Sequence, residues 1–120
     1  MSSIDRPVSG DVLKFSLEAE RKLVNDRVVL ESHGRNARTL LKERHLRVTL
    51  VMVKAGGLIA KHRAAGPITV QVLEGDIRFR AAGKEHRLEA GDLLAVSGGV
   101  EHDVSSERGG TFLLTLVQPG

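Results

Sequence analysis

From about residue 37 onward, the sequence alternates apolar and polar residues in short segments that are separated by turn-forming residues. Such alternation places apolar side chains on one face of a strand, and Gly, Asn, Asp or Pro between the segments favours chain reversal. The pattern predicts strands at 28–32, 37–42, 46–54, 68–74, 77–81, 84–89, 93–96, 101–105 and 111–117. Many short strands at this spacing indicate an all-β sandwich or barrel.

The segment 12–24 departs from this alternation. Its apolar residues fit a short helix or a mixed segment, and Ser16 is a candidate N-cap. We divide the chain into an N-terminal arm with the first strand, residues 1–36, and a barrel, residues 37–120. A length of 120 residues fits one domain overall. The arm is expected to pack across the sheet or against a second subunit.

Composition disfavours several functional classes. The chain has 3 Phe and no Trp or Tyr, so it offers little aromatic surface for stacking bases, and we expect no nucleic-acid partner. It has no Cys, which excludes thiolate metal ligands, thiol nucleophiles and disulfides. The formal net charge is +3, but basic and acidic residues are interspersed, as on a solvated surface.

The start "MSSIDRPVSGD" has no apolar segment of the signal-peptide type, and no apolar run is long enough to span a membrane. We therefore expect a soluble cytoplasmic protein with no membrane partner.

Two segments rich in glycine each contain one histidine. The first, 57–75, reads "GLIAKHRAAGPITVQVLEG" and places His62 between Gly57 and Gly75. The second, 91–102, reads "GDLLAVSGGVEH" and ends at His102. In order and spacing these segments resemble the two conserved motifs of the cupin superfamily, and the resemblance extends over roughly residues 46 to 117. It implies an RmlC-like double-stranded β-helix, or jelly-roll, barrel.

The same resemblance implies a candidate metal site that is only partly kept. Family members that bind metal use two histidines and a glutamate from the first motif and one histidine from the second. Here His62 and His102 are present, whereas Ala64 and Ile68 stand at the positions of the second histidine and the glutamate, and Ser97 at that of a proline. Imidazole ligands suit Fe, Mn, Ni, Cu or Zn, so a divalent ion held by the two histidines is one interpretation. The other is a polar pair near the barrel mouth, hydrogen-bonded to each other, to water or to a carbonyl.

Strand alternation predicts the surroundings of this pair. Ile68, Val70 and Val72 share one strand face, which would give the cavity an aliphatic wall. Arg47 shares a face with Thr49, Val51 and Val53, so its guanidinium either faces the mouth and favours a carboxylate or is an exposed strand-end charge. The candidate ligand-binding residues are His62, His102, Ile68, Val70 and Arg47.

The remaining histidines are weaker candidates for a site. His86 shares a strand face with Leu88 and could point inward, whereas His33 and His45 lie in turns and are expected to be exposed.

Three functional hypotheses follow, and whether the chain is an enzyme stays open among them. The first is a barrel that binds a small organic molecule for storage, sensing or an accessory role. The second is a metal-dependent enzyme of the cupin dioxygenase or isomerase type. The third, transcriptional regulation, would need a separate DNA-binding partner because the sequence contains no helix-turn-helix pattern. The resemblance to small cupins also implies a homodimer. We therefore expect the chain to associate with a second copy through exposed strand edges.

Overall fold

The computed structural model describes residues 7–118. This part of the chain forms two short helices followed by eight strands: α1 Leu17–Val24, α2 Arg27–His33, β1 Arg35–Lys42, β2 Leu46–Val53, β3 Leu58–His62, β4 Ile68–Ala81, β5 Lys84–Glu89, β6 Leu93–Val96, β7 His102–Ser105 and β8 Gly110–Val117. The all-β jelly-roll architecture predicted from the sequence is confirmed.

Strand β4 belongs to both layers of the barrel. Its first half pairs with β8 and β6, and its second half pairs with β5 and β7. Strands β1 and β2 extend the first layer beyond β8, and β3 extends the second beyond β7. All of these pairings are antiparallel, as in a jelly roll.

The prediction of separate strands at 68–74 and 77–81 is wrong in one respect, because the two segments form a single strand of 14 residues. The register with β8 shifts between Val72 and Glu74, and Gly75 has a φ of +72°. A bulge of this kind bends a strand without ending it, so β4 passes from one layer to the other as one element.

The prediction of a strand at 28–32 is also wrong, because these residues lie in α2. Asp26 caps the helix by accepting hydrogen bonds from the backbone N–H groups of Val28 and Val29, and Gly34 ends it in the left-handed conformation. The two caps stabilise a helix in this segment, although its short alternating pattern favours a strand. The helical segment expected near residues 12–24 is confirmed as α1, with the Ser16 side chain accepting from the Ala19 N–H.

Strand β3 was not among the predicted strands. It pairs with β7, and its burial does not alternate, since four of its five residues are exposed. Period-two alternation therefore gave no signal there.

The apolar core occupies two sides of the first layer. The larger cluster lies between the layers and includes Ile68, Val70 and Val72, which are at most 4% exposed, whereas Gln71 between them is exposed. The smaller cluster, Val24, Leu40 and Leu50, lies where the helices cover the outer face of β1 and β2. Neither described helix has the length or the apolar character needed to cross a membrane.

The close approach of β4 to the start of β8 yields a stability prediction. A Cβ at Gly75 would lie 2.2 Å from the carbonyl oxygen of Gly109, whereas one at Gly83, with a similar φ of +76°, would meet nothing within 4 Å. Both substitutions to alanine incur left-handed backbone strain of about 1–2 kcal/mol. We expect Gly75→Ala to lower the free energy of unfolding by about 1–3 kcal/mol more than Gly83→Ala, because of overpacking. Urea unfolding of both variants measures this, and equal losses would contradict it.

Candidate functional site

The structure places His62 and His102 side by side. They are register partners at the ends of β3 and β7. Their Nε2 atoms are 3.1 Å apart, and the rings meet edge to face with centroids 4.3 Å apart. His102 is buried and stacks on Phe79 at 5.0 Å, whereas His62 is exposed.

The loops around the two histidines are fixed to each other by backbone contacts. The Gly99 N–H donates to the Ala64 carbonyl at 2.8 Å, which joins the turn before β7 to the segment after β3. A Cβ at Gly98 would lie 2.5 Å from the Ala65 carbonyl oxygen, so only glycine permits this approach. The glycines of the second motif therefore bring its loop against the first motif.

The other ring nitrogen of each histidine is held by the backbone. His62 Nδ1 lies 2.9 Å from the Ala60 carbonyl oxygen, and His102 Nδ1 lies 2.9 Å from that of Val100. A carbonyl oxygen only accepts hydrogen bonds, so each Nδ1 carries a hydrogen. In a neutral ring the Nε2 atom is then the acceptor, and two lone pairs face each other. A proton, a hydrogen-bond donor or a cation between them removes that repulsion.

Burial governs the charge of the inner ring. Burial lowers the pKa of His102 below its ordinary value of 6.5, and the charge of His62 acts in the same direction. The hydrogen bond to Val100 and the Asp103 carboxylate oppose this lowering of the pKa without reversing it. His102 is therefore biased towards its neutral form, in which Nε2 accepts a hydrogen bond.

The histidine pair opens into a cavity of about 240 Å³ inside the barrel. Most of its walls are apolar, and both Ile68 and Val70 line it. Its lining residues are Arg35, Ala37, Thr49, Val51, Ile59, His62, Ile68, Val70, Phe79, His102, Val104, Phe112 and Leu114.

The arginine at this cavity is not the one that the sequence suggested. Arg47 is half-buried near the start of β2, opposite Lys42 and Leu116, and is not among the lining residues. Arg35, at the start of β1, lines the cavity instead. Sequence reasoning missed it because the first barrel strand was expected to begin at residue 37. Alternation of Arg35, Ala37 and Thr39 is the signal that would have included it.

The positions that depart from the family motif are apolar in the structure as well. Ala64 is half-buried and packs against the main core, and Ile68 is 4% exposed and lines the cavity. Within residues 7–118 there is no group of three or more His, Asp or Glu side chains placed to hold a metal ion. Among the described residues, the side chains able to ligate a metal ion at this site are thus the two imidazoles.

The other histidines and charges lie outside the cavity. His86 is half-buried opposite Phe79, and His33 and His45 are exposed. Lys61 and Arg63, which flank His62, are exposed and approach the Glu101 carboxylate at 4.0 and 3.4 Å. A wider, open groove of about 850 Å³ lies around Gly75 and residues 108–111, and neither member of the pair lines it.

Comparisons with known proteins agree with this architecture. Salicylate 1,2-dioxygenase from Pseudoaminobacter salicylatoxidans, solved as adducts with gentisate, superposes with a TM-score of 0.79 at 19% identity, covering 93% of this chain and 35% of that one. A conserved protein of unknown function from Streptococcus pyogenes gives 0.70 at 21% identity, covering 100% and 97%. An RmlC-like cupin from Shewanella frigidimarina gives 0.69 at 22% identity, covering 72% and 78%.

These identities establish a shared fold and no shared activity. No curated protein sequence matches the chain. A sequence model of the cupin domain matches residues 49–117, which is more than half of the chain and includes both histidines. With the jelly-roll topology, this match establishes that the chain belongs to the cupin family.

Proposed function

We propose that this cupin binds a small organic molecule in its barrel, with the apolar body against the aliphatic walls and a polar group on the His62–His102 pair. The observation that carries the proposal is the 240 Å³ apolar cavity into which two Nε2 acceptors converge. Apolar walls with a few placed polar groups are the usual composition of a small-molecule site.

The size of the cavity limits the ligand. An apolar cavity of about 150 Å³ is enough to bind benzene in another protein, so 240 Å³ suits a single substituted ring or a branched chain of similar bulk. A hydroxyl group on such a ligand would donate its one hydrogen to one of the two Nε2 atoms and so reduce the repulsion between their lone pairs. The dioxygenase of similar fold was solved with gentisate, which makes hydroxylated aromatic acids suitable probes.

A second candidate function is that of a metal-dependent cupin enzyme, of the dioxygenase or isomerase type, and the Nε2 separation favours it. Two nitrogens bound to one ion at about 2.0–2.1 Å, at roughly 90–110° to each other, lie about 2.8–3.4 Å apart. The observed 3.1 Å falls in this range, and both Nδ1 atoms have the backbone partners that orient metal-binding imidazoles. A divalent ion bound there would supply Lewis acidity at its open positions.

The donor set, however, falls short of a resident metal site. Catalytic metal sites use three or more protein ligands, and here Ala64 and Ile68 supply none. The pair alone would hold an ion weakly, so organic-ligand binding remains the main proposal.

We also propose that the chain forms a homodimer. Among the described residues, Val28 is 73% exposed and Leu93 is 65% exposed. Exposed apolar side chains such as these support association with a second copy.

The binding proposal is tested by narrowing the cavity. Both Ala37 and Ala95 are exposed, but only Ala37, which lies opposite the buried Val51, lines the cavity. We expect 4-hydroxybenzoate and 4-hydroxybenzamide, added with a chelator present, to shift the NMR signals of His102 and Phe79. Ala37→Leu should weaken binding about tenfold or more by filling ligand space, and Ala95→Leu should not. Absence of these shifts in the wild-type protein, or unchanged affinity in Ala37→Leu, would count against a cavity ligand.

The metal alternative is tested by restoring a ligand. We expect the wild-type protein to hold well under one Zn²⁺ per chain after dialysis, and Ala64→His to bind Zn²⁺ at least about tenfold more tightly by adding a third imidazole. Calorimetric titration with Zn²⁺ measures the affinity, and His62→Ala in the Ala64→His background is the control that should remove the gain. One tightly held ion per wild-type chain, lost in both His62→Ala and His102→Ala, would favour the enzyme.

The neutral His102 should also make stability depend on pH. Because its pKa is lower in the folded chain than its ordinary 6.5, the unfolded chain takes up the proton first as the pH falls. This contribution to the free energy of unfolding is complete above the ordinary pKa and is lost as the pH falls through the folded pKa. Urea unfolding between about pH 8 and about pH 5, with chelator, should show a smaller decline in His102→Gln than in the wild type. His33→Gln, on the surface, should keep the wild-type decline; identical declines in all three proteins would refute the assignment.

A further inference from the structure

We propose that the ligand of the barrel cavity is an anion, a small carboxylate with an apolar body whose carboxylate binds Arg35 at the cavity rim. This inference rests on the proposed function and names the chemical class of its ligand.

The position of Arg35 follows from the strand register. It is the first residue of β1 and lies opposite Val53, which is 1% exposed, so both belong to the inner face of the layer. Ala37 follows on the same face opposite Val51, and both Arg35 and Ala37 line the cavity. The side chain itself is exposed, which places the guanidinium at the rim.

The backbone before Arg35 is held in place. Gly34 has a φ of +79° as the C-cap of α2, and its carbonyl accepts a hydrogen bond from the Lys54 N–H at 3.0 Å. A Cβ at Gly57 would lie 2.4 Å from the Gly34 oxygen, so the chain packs closely here on a second side. Arg35 therefore begins its strand from a fixed point, and its approach to the cavity does not depend on a mobile loop.

Among the residues that the structure describes, none pairs with the Arg35 guanidinium. Other arginines have a partner: Arg80 lies 2.8 Å from the Asp103 carboxylate, Arg63 lies 3.4 Å from that of Glu101, and Arg38 pairs with Glu20. Within residues 7–118 no carboxylate lies within ion-pairing distance of Arg35, and no Asp or Glu lines the cavity.

The charge balance of the lining therefore favours an anion. Its one permanent charge is the guanidinium, whose parallel N–H donors match the two oxygens of a carboxylate. The aliphatic walls accept the remainder of the molecule, and its polar substituent reaches the histidine pair. A neutral ligand of the same shape would leave Arg35 solvated and gain nothing from it.

The test compares 4-hydroxybenzoate with 4-hydroxybenzamide, which share the ring and a hydroxyl at its opposite end and differ in charge. We expect the wild-type protein to bind 4-hydroxybenzoate about tenfold more tightly than 4-hydroxybenzamide in low salt, with chelator present, by calorimetry or NMR titration. Arg35→Gln should abolish this preference by weakening the binding of 4-hydroxybenzoate far more than that of 4-hydroxybenzamide. Arg44→Gln, an exposed arginine in the turn after β1, is the matched control and should keep the preference.

The outcomes separate this inference from the proposed function. If both compounds bind the wild-type cavity equally, the anion inference is overturned and the cavity function stands. If the preference survives in Arg35→Gln but is lost in Arg47→Gln, the carboxylate group is assigned to the wrong arginine. If neither compound shifts the signals of the cavity residues, both proposals fail together.

Discussion

The pairing of one long strand with both layers of the barrel is the constraint on which the rest depends. Strand β4 supplies Ile68 and Val70 to the cavity from its first half and Phe79 from its second. The change of layer occurs at Gly75, where the backbone comes so close to Gly109 that a Cβ cannot be accommodated. A one-residue slip of this strand would turn every one of these side chains outward. Core and cavity thus share a single register.

Strand pairing also brings the two imidazoles together. Register pairing of His62 with His102 sets their distance, while the Ala60 and Val100 carbonyls determine which nitrogen faces the partner ring. In the neutral rings the result is two acceptor atoms that face each other beside apolar walls. A metal ion would accept both lone pairs but needs further ligands, whereas a ligand hydroxyl would donate its one hydrogen to one of them and needs none. Since Ala64 and Ile68 cannot ligate a metal ion, the site suits a ligand hydroxyl better than an ion.

Much of the fold was predictable because strand alternation reflects burial on one face. It identified the inner face of Ile68, Val70 and Val72, and the motif spacing supplied the family. It failed at 28–32, where the caps at Asp26 and Gly34 stabilise a helix over a segment too short for alternation to decide. It gave no signal for β3, whose residues are mostly exposed. The first barrel strand was expected to begin at residue 37, but β1 begins two residues earlier. Arg35 was therefore not recognised as a residue of the cavity.

The arrangement of polar groups has a consequence for selectivity. Arg35 is exposed at the rim, His102 is buried beside Phe79, and apolar residues make up most of the wall. A ligand with polar groups at both ends and an apolar middle satisfies all three parts at once, whereas a uniformly apolar one would leave the Nε2 pair without a donor. Because an unsatisfied buried polar group costs about 1–3 kcal/mol, polarity at the inner end contributes to recognition as much as shape does. Ile68 stands where a metal-binding family member has a glutamate, and its side chain forms part of the apolar wall. The same residue therefore favours contact with an organic ligand and disfavours coordination of a metal ion.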